Sequence, residues 1–258
     1  MKFNKATLGL SGGIDSAVTL VLAAHALGPE NLHALLLPSK YSSEHSISDA
    51  RELAGNLGVA YDIIPIQDAF NSYMEAMGPL FEGLPEDITE ENIQSRIRGN
   101  ILMAYSNKFG HILLNTSNKS EAAVGYGTLY GDMAGGLSVL GDVYKTDVYK
   151  LAKFINREEE IIPDNSISKP PSAELKPDQK DSDSLPDYEI LDNVLFAYIE
   201  QQKSAREIIR NGSDEKVTSR IIQMVNQNEY KRYQSPPILR ISSKAFGIGR
   251  RMPLVAKY

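Results

Sequence analysis

The chain has 258 residues, of which 42% are apolar and 23% charged, with a net charge of −6 and no cysteine. One large domain or two small ones fit this length, and the acidic balance, with no long basic run and no apolar stretch near the roughly 20 residues that span a bilayer, speaks against duplex nucleic acid and membranes as partners. Without a thiol these residues form no disulfide, thiolate zinc site or cysteine nucleophile, which suits a reducing compartment; Met1 to Lys5 show no signal-peptide pattern, so a cytoplasmic location is expected.

The first half alternates strand and helix signals. Residues 6–10 are a short apolar run that ends in glycines. Residues 16–27 suit a helix, apolar on nearly all sides and stopped by Gly28-Pro29. Residues 32–37 read as a buried strand closed by Pro38. "SISDARELAGNLG" follows, with Ser46 three residues ahead of Asp49 in a capping-box-like start and Gly58 at its end. "VAYDIIPI" is a third strand. A polar stretch with Gly and Pro leads to a long helix at 90–109, with Ile93, Ile97, Ile101, Ala104 and Tyr105 on one stripe. Gly110 ends it, and "HILLN" is a fourth strand.

This order predicts an α/β fold: a doubly wound, mostly parallel sheet with helices on both faces, its ligands beyond the carboxyl ends of the strands. Residues 162–186, "IPDNSISKPPSAELKPDQKDSDSLP", have the composition of a linker or mobile loop. Few residues follow, so the segment is expected to cover the sheet edge within one domain over 1–258. Helices are expected at 188–202, 204–211 and 213–228.

The turn "LGLSGGIDSAVTL" (8–20) lies at the expected ligand edge. Gly12 and Gly13 let backbone N–H groups approach a ligand, and the helix that follows offers its positive end to an anion. Ser11 and Ser16 add hydroxyl donors, and Asp15 is suited to a Mg²⁺ that bridges phosphate oxygens. Neither the Walker pattern nor G-x-G-x-x-G is present.

Ser-Gly-Gly-x-Asp-Ser after a first strand resembles the pyrophosphate loop of N-type ATP pyrophosphatases, which cleave ATP between the α- and β-phosphates. "NTSNKSEAAVGYGTLYGDMAGGLSVLGDVYK" (115–145), "KPPSAEL" (169–175) and "SSKAFGIGRRMP" (242–253) are similar to the NAD synthetase family, in wording nearest to the synthetase domain of its glutamine-dependent members. The resemblance covers nearly the whole chain. It implies the adenine nucleotide alpha hydrolase-like fold and adenylation of the nicotinate carboxylate of deamido-NAD, followed by attack of ammonia to give NAD⁺, AMP and pyrophosphate. It also implies a homodimer, and a glutaminase domain or chain wherever glutamine is the nitrogen source.

The family match carries site residues with it. Asp15 and Glu121 correspond to the Mg²⁺ carboxylates; Ser11, Gly12, Gly13, Asp15, Ser16, Thr116, Lys145, Lys169 and Ser172 correspond to ATP-binding positions. Asn92, Arg96, Glu121 and Lys244 correspond to deamido-NAD contacts, with Lys244 reaching substrate from the same or the other subunit. Asp132 in "YGDMAGG" is the candidate to hold ammonium and accept its proton. Asp15 and Lys145 join it as catalytic candidates, and a loss of AMP formation without loss of fold is expected of Asp15→Ala because the turn reads as exposed. Glu121 alternatively only caps a helix, Lys145 alternatively lies on the surface, and Arg250 and Arg251 are either phosphate contacts or a surface basic pair. Under this resemblance the 162–186 segment becomes a lid that shields an acyl-adenylate from water. Leu129 departs from the family where some ammonia-dependent members carry a substrate-binding lysine, and the early glycine turn implies a natural short form or an excised domain. A GMP synthetase-like amidotransferase domain and a non-catalytic ATP-binding regulator remain the alternatives.

Overall fold

A computed structural model describes residues 3–177 and 179–254. Five parallel strands form one sheet: β1 (Ala6–Gly9), β2 (Leu32–Leu36), β3 (Ala60–Ile63), β4 (Ile112–Asn115) and β5 (Leu137–Ser138), in the order β3-β2-β1-β4-β5. The helices between them are α1 (Ile14–Leu27), α2 (Glu44–Leu57), α3 (Gln67–Phe81), α4 (Ile88–Phe109) and α5 (Lys119–Val124). After β5 come α6 (Lys145–Ile155), α7 (Asp164–Ser168), α8 (Tyr188–Leu195), α9 (Ala205–Arg210), α10 (Glu215–Gln227) and α11 (Glu229–Arg232). Strand order reverses between β1 and β4, and that is where a doubly wound sheet opens a crevice for ligands.

Alternation along β2 shows why the sheet is covered twice. Ala34 and Leu36 pack with α1 and α2 residues such as Val18, Val21 and Leu53, whereas Leu35 and Leu37 pack on the opposite face with Ile66 and with Ile97 of α4. A separate apolar cluster joins α5 to the C-terminal helices through Ala123, Val124, Leu191, Leu195, Ile221, Val225 and Phe246. No helix among the described residues is long and apolar enough to cross a membrane.

Several boundaries differ from expectation for local reasons. α1 begins two residues earlier, at Ile14, so Asp15 and Ser16 belong to its first turn. The cap of α2 is Ser43, whose hydroxyl accepts the Ser46 N–H at 3.1 Å; Ser46 is therefore inside the helix. α4 starts at a full capping box of Asp87 and Glu90, and its stripe holds at Ile93, Ile97, Ile101 and Tyr105, while Ala104 is exposed. α3 falls in the stretch read as polar with Gly and Pro: its stripe of Phe70, Met74, Met77 and Phe81 is only half-buried and is interrupted by Gly78 and Pro79. The helix at 188–202 is regular only to Leu195 and continues as a wider π turn over Phe196–Glu200.

Candidate active site

The turn from β1 to α1 is built by close packing. Gly12 has φ +77°, and a Cβ there would stand 2.1 Å from the Ser46 carbonyl oxygen in α2, so only glycine fits. Gly13 caps α1 without a side-chain bond, which leaves the helix start open toward a ligand. Ser16 borders a cavity at this turn and also braces the turn. Its buried hydroxyl donates to the Gly13 carbonyl at 2.9 Å and accepts the Ser11 N–H at 3.2 Å, holding the turn in shape.

Three segments bring charge to this turn. Asp15 Oδ2 pairs with Lys145 Nζ at the first residue of α6, and Asp15 Oδ1 accepts from Asn118 Nδ2 at 2.9 Å. Asn118 caps α5 in a reciprocal box with Glu121, and Glu121 Oε1 lies 3.7 Å from the same ammonium. Glu121 thus both caps a helix and faces the cluster. Lys145 is 2% exposed, which removes the surface reading, and Asp15 is only 18% exposed at its side chain, so the turn is less open than its sequence implied.

Burial pushes the Glu121 carboxyl up to about 8, with the Asp15 charge adding to it and Lys145 opposing. Burial works against the Lys145 charge, yet Asp15 and Glu121 outweigh it and hold the ammonium above its ordinary range. A carboxyl whose folded value lies above its unfolded one contributes stability below pH 4.5, and that contribution is lost as pH rises through about 8. Relative to Glu121→Gln, the wild-type protein is therefore expected to lose stability between pH 5 and pH 8.5 in magnesium-free buffer. Thermal melts of both at several pH values test this; a constant or widening advantage for wild type would contradict it.

Two adjoining cavities open above the strand ends. The first, about 250 Å³, is walled by Leu10, Leu36, Leu37, Leu102 and Leu113 and includes Arg98. The second, about 200 Å³, is richer in polar and charged groups and is lined by Gly13, Asp15, Ser16, Glu121, Lys145, Lys169 and Ser172. Ser11, Ser46, Thr116, Asp132 and Glu174 border both.

The segment 162–186 crosses this edge. Ser166 Oγ donates to the Gly12 carbonyl at 2.9 Å, and Lys169 Nζ donates to Ser46 Oγ at 3.0 Å. Ser172 accepts the Glu174 N–H at 3.1 Å, and the Glu174 carboxylate takes both the Ser43 and Ser46 hydroxyls. Farther along, Gln94 Nε2 donates to the Leu175 carbonyl. The segment is thus tied at the glycine turn, at α2 and at α4, a course that composition alone could not reveal.

Asp132 borders both cavities. Its carboxylate accepts the Thr128 N–H at 2.6 Å and the Ser95 hydroxyl at 3.0 Å, and burial pushes its titration upward against those bonds. Asn92 and Arg96 share a face of α4, as their spacing requires, but meet the neighbouring loop: Asn92 accepts from the Thr128 hydroxyl, and Arg96 donates to the Leu129 carbonyl. Neither lines the two cavities, and neither does Lys244. Arg250 sits 3.6 Å from Glu229 and is mostly buried, so it is not half of a surface pair; Arg251 is exposed.

Three site residues went unnoticed in the sequence. Asn118 was hidden in the capping pattern that also marks Glu121. Asp181 lies in the supposed linker, held by the hydroxyls of Tyr126 and Tyr188 at 3.0 and 2.8 Å. Arg98 follows Arg96 by two residues and so points elsewhere on α4; a charged residue beside Gly99 and the apolar stripe was the available signal.

Among the described residues no cluster of three acidic, His or Cys side chains could cage a metal unaided. Asp15 and Glu121 nevertheless converge on one cation, Lys145, and such a pair of oxygen donors suits a Mg²⁺ that keeps waters and phosphate oxygens in its shell.

A glycine turn at a helix start, a switch point and paired cavities define an α/β protein of the doubly wound class with its candidate ligand site at the carboxyl edge of the sheet. The chain belongs to the NAD synthase family, whose family model matches residues 1–235. It is 53% identical over 256 residues to the glutamine-dependent NAD(+) synthetase of Synechocystis, covering 99% of this chain and 46% of that one, and so spans about half the length of the curated relatives it matches. A glutamine-dependent NAD⁺ synthetase from Acinetobacter baumannii in complex with ADP matches with 46% identity and a TM-score of 0.65, over 98% of this chain and 46% of its own. The NMN synthetase of Francisella tularensis matches with 30% identity and a TM-score of 0.76, over 90% and 87%.

Proposed function

We propose that this chain carries out the synthetase reaction of its family, joining ATP, deamido-NAD and ammonia to form NAD⁺, AMP and pyrophosphate. The observation that carries this reading is the pair of adjoining cavities at the strand ends, one apolar and one holding the glycine turn with Lys145 and Lys169. The β- and γ-phosphates meet the backbone N–H groups of the turn, the start of α1 and the two lysines.

A carboxylate oxygen of the nicotinate group attacks the α-phosphorus, the bond to the bridging oxygen breaks, and pyrophosphate leaves. Ammonia then adds to the acyl carbon, a proton passes to the Asp132 carboxylate, and AMP departs with the carboxyl oxygen that had attacked. Mg²⁺ bound by Asp15 and Glu121 would neutralise phosphate charge. The 162–186 segment, tied down at Ser46, keeps water from the acyl-adenylate. Ammonia comes free or from a glutaminase unit, in keeping with the longer glutamine-dependent relatives, and Lys244 acts in a homodimer at the partner's site. The cysteine-free composition supports a cytoplasmic setting.

Incubation with ATP, Mg²⁺, ammonium and deamido-NAD is expected to yield NAD⁺ and AMP together; xanthosine monophosphate in place of deamido-NAD is expected to yield none. The 30% identity to an NMN synthetase supports a second acceptor, nicotinate mononucleotide, as a parallel assay. Lys169→Ala removes a phosphate ligand and one tie of the covering segment, so the KM for ATP is expected to rise about tenfold. Unaltered ATP kinetics would return that segment to a passive connection.

A further inference from the structure

Among the residues that line the leucine-walled cavity, Arg98 alone is basic. Its Nε donates to the Leu37 carbonyl at 2.9 Å, and it forms no ion pair among the described residues. The carboxylates that act on it, Glu174 and Asp132, are committed to Ser43 and Ser46 and to Thr128 and Ser95. Burial draws its titration down to about 10, so it remains a cation at neutral pH. A half-buried guanidinium with one backbone bond and no ion-pair partner keeps N–H donors in hand, and a fork of such donors at an apolar wall suits a planar carboxylate on an aromatic ring.

We propose that Arg98 receives the carboxylate of the acceptor acid on the α4 side of this cavity, and so distinguishes the acid substrate from its neutral amide product. This rests on the reaction given above. The phosphates of ATP already have the glycine turn, Lys145 and Lys169 in the second cavity, which Arg98 does not line. An in-line displacement needs the nucleophile opposite the departing pyrophosphate, and the leucine-walled cavity lies across the shared border of Ser11, Ser46, Thr116 and Asp132 from those lysines. Once the carboxylate has become an amide, the charge that paired with Arg98 is gone, and product leaves more readily.

The test compares wild type with Arg98→Met and Arg98→Lys, the lysine variant retaining the charge should methionine prevent folding. The KM for deamido-NAD, and its dissociation constant by calorimetry without ATP, are expected to rise about 10- to 100-fold in Arg98→Met and less in Arg98→Lys. The KM for ATP and inhibition by NAD⁺ are expected to stay within about threefold, a split that general loosening of the site would not produce. An unchanged affinity for deamido-NAD, or a rise confined to ATP, would overturn the assignment. A wild-type protein that binds deamido-NAD in an Arg98-dependent way but releases no AMP would instead sink the proposed reaction and leave this inference standing.

Discussion

Asp15→Ala is expected to abolish AMP formation, by a factor of about 10³ or more, because in the proposed reaction the phosphates would then lack both a Mg²⁺ ligand and a fixed Lys145. The same change should destabilise the protein. Lys145 is 2% exposed and would keep only Glu121, at 3.7 Å, as a charged partner. Removing one member of a buried pair costs about 3–5 kcal/mol, and the remaining carboxylate places this case near the lower end. Asp15→Asn keeps an acceptor for the Asn118 amide and should lose as much activity with a smaller shift in melting. Product analysis by chromatography alongside thermal melts separates the two effects. Activity within tenfold of wild type in both variants would remove Asp15 from the chemistry.

Lys119→Met should have the largest effect on stability. This lysine is fully buried at the start of α5, paired with Asp142 at 2.7 Å and with Glu200, and bonded to the Ser242 hydroxyl at 3.0 Å. Asp142 in turn accepts the N–H groups of Ile241 and Ser242, so the lysine ties the C-terminal segment that bears Lys244 to the helix that bears Glu121. Methionine matches the length but strands two carboxylates in the interior, at a cost of about 3–5 kcal/mol. For a chain of this size, that corresponds to a fall in melting temperature on the order of 10 °C. A melt within about 2 °C of wild type would show that the cluster contributes little.

Arg98, Asp181 and Lys119 show where sequence reading stops. Each is a charged residue in a local context that reads as a solvated helix face, a linker or a cap, and only packing reveals that Asp181 and Lys119 are buried and that Arg98 is half-buried beside a cavity. Asn92 and Arg96 illustrate the converse. Their spacing correctly put them on one face of α4, but which surface that face meets depends on the 127–132 loop, and the close approach that Gly99 and Gly131 allow brings them to it.

The order of the first four strands, the glycine turn and its place at the carboxyl edge of a parallel sheet were legible along the chain, whereas the two-residue β5 and α3 were not. Hydrophobic period, capping residues and glycine tolerance are local quantities, settled within a few neighbours. Which charges meet was not local: Asp15, Asn118, Glu121 and Lys145 come from three helix starts up to 130 residues apart, and the shifted titration of Glu121 and Lys145 exists only once the sheet brings those helix starts together. Electrostatic energy depends on distance through space and on exclusion of water, and the fold sets both.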